Sequence, residues 1–126
     1  MNEQMFKKRT RDAALRVIHL VESLPKTKTA DVLGRQVLRS GTSIGANYRA
    51  ACRAKSPPDM IAKLAIVEEE ADESLYWLEL LVDSKIVSAA KLGPLHKEIE
   101  ELLAMIVASI KTLRSHNLKS KIKNPK

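Results

Sequence analysis

Apolar residues recur along the chain at three- and four-residue steps in four successive stretches, the spacing of one face of an α-helix. Phe6, Ala13, Val17, Leu20 and Leu24 predict a first helix over residues 4–24. Pro25 ends it, because the residue before a proline is pushed out of helical backbone. Leu33, Val37, Gly41, Ile44, Tyr48 and Ala51 predict a second, from a cap at Thr29 to about Ala54. Ser56-Pro57-Pro58-Asp59 is the sharpest boundary in the sequence. The serine caps, the first proline suits the first helical position, and the aspartate stands where a capping-box acid belongs. Met60, Leu64, Val67, Ala71, Leu75, Leu78 and Val82 then mark a third helix ending between Asp83 and Ile86. Leu92, Leu95, Ile99, Leu102, Ile106, Ile110 and Leu113 mark a fourth, which starts either at Ser88 or after Pro94.

Four amphipathic segments joined by short loops predict an all-α fold, an up-down-up-down four-helix bundle over residues 1–116. Residues 117–126 are polar and basic, with only Leu118 and Ile122 to bury, and are expected to form a flexible tail. Composition agrees: the apolar residues are mostly Leu, Ile, Val and Ala, and four glycines leave few turns. The single Cys52 cannot form an internal disulfide, the N-terminal charges have no apolar run behind them, and no stretch approaches the ~20 apolar residues of a membrane span. A cytoplasmic protein without a membrane partner is expected.

Catalytic chemistry finds no foothold. A di-iron carboxylate bundle needs Glu-x-x-His on two helices, and no Glu here has a His three residues later. His19 and Glu22 occur in the reverse order, and His96 and Glu100 are four apart, the spacing of a solvated pair. Cys52 lies among small residues, as a small buried hydrophobe does. Gly41-Thr42-Ser43-Ile44-Gly45 lacks the Gly-Lys-Ser/Thr ending of a phosphate loop and follows no strand. Its small side chains instead predict the close approach of another helix, which offsets the roughly 1 kcal/mol that each glycine costs relative to alanine. Neither a metal nor a cofactor is expected, and the chain reads as a non-enzyme.

Charge is the remaining signal. The formal net charge is +7, and an excess of this sign favours anionic partners. At about 100° per residue, Arg35, Arg39, Arg49 and Arg53 fall on one stripe of the second helix, and arginine is well shaped for phosphate. Lys111, Arg114, Lys119, Lys121, Lys123 and Lys126 meet no acid after Glu101. The nucleic-acid candidates are therefore Arg35, Arg39, Arg49 and Arg53 with Lys119, Lys121 and Lys123, binding RNA or DNA through phosphate contacts. The third helix is the opposite, with Glu68, Glu69, Glu70, Asp72, Glu73, Glu79 and Asp83 and no basic residue between Leu64 and Asp83. If the two helices pair, arginines are withdrawn from any ligand. Ile66, Trp77 and Leu80 lie well round from the core stripe of that helix and are the candidates for a subunit interface. An adaptor that meets another protein through the acidic helix and Trp77 is the rival reading.

Leu38-Arg39-Ser40-Gly41-Thr42-Ser43-Ile44-Gly45-Ala46-Asn47 closely resembles the signature of the 23S rRNA intervening-sequence proteins. Asp59, Lys63, Leu64, Glu70-Ala71, Glu73 and Tyr76-Trp77-Leu78-Glu79-Leu80-Leu81 resemble it too. The resemblance spans about residues 5 to 114. It implies a homo-oligomeric helical bundle, with a ring of five subunits as the expected assembly, and no enzymatic activity. A related branch, the accessory proteins of diversity-generating retroelements, adds nucleic acid and a reverse transcriptase as partners implied by likeness. Ala50 and Leu75 stand where glutamates are frequent in the family, which makes this chain more apolar and more basic.

Overall fold

The computed structural model describes residues 2–123, the side chains of Lys121 and Lys123 excepted. These residues form four helices and no strand: α1 (Glu3–Glu22), α2 (Lys28–Ala51), α3 (Pro57–Asp83) and α4 (Ala89–Lys123). Helices adjacent in sequence are adjacent in space, α2 and α3 share the largest interface, and a thinner contact between α1 and α4 closes the ring. The core lies on the axis of this ring. Phe6, Val17, Val37, Ile44, Leu64, Val67, Leu78, Leu81, Ile99, Leu102 and Ile106 are fully buried in it. The predicted apolar stripes supply nearly all of these.

Caps explain the boundaries. Asn2 Oδ1 accepts from Met5 N at 3.1 Å and starts α1. Ser56 Oγ accepts from Asp59 N, as expected of the cap, while Asp59 Oδ2 reaches one residue past the cap and accepts from Lys55 N. α2 is capped by Thr27, whose Oγ1 accepts from Ala30 N, not by Thr29. The earlier start lets the buried Ala30 join the core face instead of sitting on the helix's first position. At the other end α2 stops at Ala51, short of the expected Ala54, and leaves the three residues after Cys52 to turn into Ser56.

α4 starts after Ser88, whose Oγ accepts from Lys91 N, and runs straight through Pro94. Two local facts permit this. The residue before the proline is Gly93, with no Cβ for the ring to strike. The carbonyl that loses its donor belongs to Ala90, which is exposed to solvent. At the far end α4 does not stop at residue 116. Asn117 to Lys123, the first part of the expected tail, continue α4 as helix, and residues 124–126 lie outside the described residues. Polar sequence gave no reason to continue the helix, but it carries no breaker before Pro125 either.

The glycines of α2 face α1. An added Cβ at Gly41 would lie 2.9 Å from Val17 Cγ2, and one at Gly45 would lie 3.0 Å from Thr10 Oγ1. The small-residue stretch thus serves close helix packing, as expected. Ser40 turns the other way and meets α3, where its Oγ lies 2.9 Å from Ser74 Oγ with both residues fully buried.

Candidate nucleic-acid interface

The regular spacing of the α2 arginines puts them on one outer stripe, but what α3 and α2 itself place opposite divides them. Arg35 Nη2 is 3.0 Å from Asp31 Oδ2, one turn back, with both side chains well exposed. Arg39 reaches across to α3, where Glu70 Oε2 accepts from Nη1 at 3.3 Å and Glu73 Oε1 accepts from Nη2. Trp77 Nε1 donates to the same Glu73 oxygen at 3.2 Å. Arg39 and Trp77, expected to serve two different surfaces, are joined through one carboxylate. The acidic helix does withdraw an arginine from the basic row, and Arg39 is engaged.

Arg49 and Arg53 behave differently. Both are exposed, and neither has an ion pair among the described residues. They sit where α2 ends, beside the start of α1 and the end of α4. The Phe6 and Tyr48 rings pack with centroids 4.4 Å apart, and Glu3, Tyr48, Met60 and Leu113 border one groove. Around this end the chain topology gathers Lys55 from the α2–α3 turn and Lys111, Arg114 and Lys119 from α4, while Arg11 lies farther along α1, one residue past the Thr10–Gly45 contact. All five are exposed and without an ion pair among the described residues. Lys119 is the one C-terminal candidate whose side chain is described. Lys121 and Lys123 are helical positions of α4 whose side chains lie outside the described set.

Three acids of this half are matched within their own helices and do not offset the row. Glu3 is 3.4 Å from Lys7, Asp12 is 2.8 Å from Lys8, and Asp59 is 2.7 Å from Lys63. Arg9 donates from Nη2 and Nε to the two oxygens of Glu98, at 2.7 and 3.0 Å, a bidentate pair on one edge of the guanidinium that ties α1 to α4 and raises its pKa further. Asp59 is held below the usual carboxylate range by the hydrogen bond from Lys63 and by the Lys55 amide. Burial and the neighbouring Glu3 push the Cys52 thiol up, and burial pushes the Tyr48 phenol up strongly, with Cys52 adding to it. Both groups are therefore neutral near pH 7. That is the reverse of what an activated nucleophile needs.

Sequence spacing found Arg49, Arg53 and the α4 cations but missed Arg11 and Lys55. Neither belongs to the α2 stripe: Arg11 is on α1, and Lys55 lies in the turn two residues after Arg53. Of the predicted interface residues, Ile66 is 44% exposed, while Trp77 and Leu80 are half-buried. Exposed Tyr76 stacks edge-on against Trp77 at 5.1 Å. On the opposite half of the bundle, His96 lies between Glu79 at 2.8 Å and Glu100 at 3.3 Å and links α3 to α4. No group of three or more His, Cys, Asp or Glu among the described residues is placed to hold a metal ion, and none of their helices is long and apolar enough to cross a membrane.

These features define a small, basic, all-helical protein whose concentrated surface chemistry is positive charge. Comparison with known proteins places it further. The model of the family described as 23S rRNA-intervening sequence protein matches residues 2–108. The chain belongs to that family. A solved structure, a protein of unknown function from the S23 ribosomal protein family of Bacteroides thetaiotaomicron, is similar at 35% identity. It superposes with a TM-score of 0.82 over 88% of this chain and 99% of that one. No curated protein matches the chain.

Proposed function

We propose that the protein acts by binding and not by catalysis, as a cytoplasmic homo-oligomeric up-and-down bundle that takes nucleic acid on its basic half. One observation carries the reading: Arg11, Arg49, Arg53, Lys55, Lys111, Arg114 and Lys119 share one half of the bundle without ion pairs among the described residues, while Glu3, Asp12 and Asp59 are matched within their own helices. Cations left unneutralised in a folded protein keep their full attraction for phosphate and release its counterions on contact. The up-and-down course is supported by Leu24 meeting Gly34, Val17 meeting Gly41 and Thr10 meeting Gly45, contacts that run in opposite chain directions. Self-association is supported by the exposure of Ile66 and Tyr76 on α3, and the family resemblance makes a ring of five the expected form.

The test is binding of the full chain to labelled structured RNA and duplex DNA across a salt series. Replacing Arg49 and Arg53 by Gln should weaken binding to all sequences and flatten the salt slope by about 1 for each phosphate no longer neutralised. Replacing Arg35 and Arg39 by Gln should change it little, because Asp31, Glu70 and Glu73 already hold them. Absence of binding at low salt would reject the reading.

A second reading rests on the outer row of α3. Glu69, Asp72, Tyr76 and Asp83 are exposed, and the three acids have no basic partner among the described residues. Such a surface suits a basic protein partner. A complex that survives nuclease treatment and disappears when these acids become Gln or Asn would favour it.

A further inference from the structure

The last buried residue of α4 is Ile110, and Leu113 is the last to rest on the core. The helix nevertheless continues to Lys123. From Arg114 onward that is about 15 Å of helix at ~1.5 Å per residue, and none of its described side chains is buried in the bundle. The exposed ones include Arg114, His116 and Lys119, and no acid follows Glu101 in the sequence. Its large apolar residues are Leu118, 59% exposed, and Ile122, 68% exposed. An apolar pair of that size is too small for a helix that lies in a lipid surface, which needs a continuous apolar face. An isolated helix of this length is marginal in water, so the extension gains most from a partner that grips its sides.

We propose that this extension is a duplex-DNA-binding element which enters the major groove while the cations at its base hold the flanking phosphates. The inference rests on the nucleic-acid reading above and specifies its ligand. Three considerations select the DNA duplex. An α-helix with its side chains is about 10–12 Å across and the major groove of B-DNA about 12 Å wide, whereas the major groove of A-form RNA is too deep and narrow for side chains to read. Single strands are bound largely by stacking bases on exposed rings, and the aromatics of this half, Phe6 and Tyr48, are buried. Electrostatics alone also favours the duplex, since each neutralised phosphate contributes about 0.9 to the salt slope on B-DNA and about 0.7 on single strands. Arg49, Arg53 and Lys55 stand at the end of the bundle from which the helix emerges, in position to flank the groove.

The experiment measures affinity of the full-length protein for duplex DNA, duplex RNA and single-stranded DNA of matched length and sequence, across salt. Two variants accompany it. Arg114→Gln with Lys119→Gln removes charge from the helix, and Asn117→Pro breaks the helix while leaving every charge in place. Neither touches a buried residue, so thermal melting should be unchanged and serves as the control for folding. The DNA duplex should bind tightest, and each variant should lose roughly tenfold or more of that affinity. Equal or tighter binding of the RNA duplex or the single strand would overturn the DNA assignment and leave the basic-half reading standing. Full DNA affinity in Asn117→Pro would overturn the groove-entering helix, since a basic arm of any shape would then suffice. A drop in the protein's molar mass in Asn117→Pro, with DNA binding intact, would assign the extension to a subunit contact instead. No binding of any nucleic acid by the wild type would reject the broader reading as well.

Discussion

Alanine at three glycines of α2 separates helix propensity from packing within one element. Each Gly→Ala change gains about 1 kcal/mol of propensity in a helix interior. At Gly41 the new Cβ would stand 2.9, 3.1 and 3.3 Å from three atoms of Val17. Val17 is fully buried and β-branched, so its χ1 cannot swing away without entering the core. Overpacking of this kind costs about 1–3 kcal/mol, so Gly41→Ala should be destabilised by about 1 kcal/mol net. At Gly34 the nearest atom is Leu24 Cδ1 at 3.0 Å, the tip of a flexible, half-buried side chain that can yield. Gly34→Ala should therefore be neutral or stabilised by up to about 1 kcal/mol. Gly45→Ala should fall between, limited by the buried Thr10, whose Oγ1 is tied to the Lys7 carbonyl at 3.0 Å. For a chain of this size 1 kcal/mol moves the melting point by about 3–6 °C, so circular dichroism melts resolve the order. Val17→Ala in the Gly41→Ala background should cost less than the two single changes together. Gly41→Ala melting at or above Gly34→Ala would refute the claim that α1 and α2 approach too closely for a Cβ at that point.

The titrating groups give two more tests. The Cys52 thiol should react with iodoacetamide more slowly than an unperturbed thiol at pH 8, and Glu3→Gln should speed it by removing a neighbouring negative charge. A wild-type rate equal to that of a free cysteine would contradict the shielding by Glu3 and burial. Asp59 has a folded pKa below its unfolded value, so its contribution to stability is present above the ordinary carboxylate pKa of about 4 and is lost as pH falls through the lower folded value. Wild type and Asp59→Asn should differ in urea midpoint at pH 7 and converge in acid, and a constant difference at every pH would exclude an ionised Asp59 as the source.

The fold was largely legible because burial in a bundle follows periodicity, and periodicity is a property of the linear chain. Val17, Ile44, Leu78 and Leu102, one from each helix, lie on the predicted stripes and are all fully buried. Local chemistry settled the Ser56–Asp59 boundary for the same reason. The cap of α2 was read at Thr29 and lies at Thr27, because both carry the right side chain and the helix starts early enough to bury Ala30. Helix α4 outran its predicted end because polar residues neither forbid nor require a helix. Surface charge was less legible. The helical repeat put Arg39 and Arg49 on the same stripe, but Glu70 and Glu73 arrive from α3 and engage only the first. Arg11 lies on another helix and Lys55 lies past the end of α2, two residues beyond Arg53, so neither could be read from the α2 stripe.

The uneven placement of charge also bears on how fast the protein finds a partner. Cations concentrated in one half, with the acidic outer row of α3 extending into the other, give the molecule a permanent electric asymmetry. A polyanion at a distance therefore exerts a torque as well as a pull, and the protein turns its α4 end forward before contact. Such orientation raises the fraction of encounters that begin in a productive pose, and its benefit fades once the Debye length, about 8 Å at physiological ionic strength, falls below the separation at which turning must begin. Salt should then slow arrival, while the lifetime of the complex reports the contacts themselves.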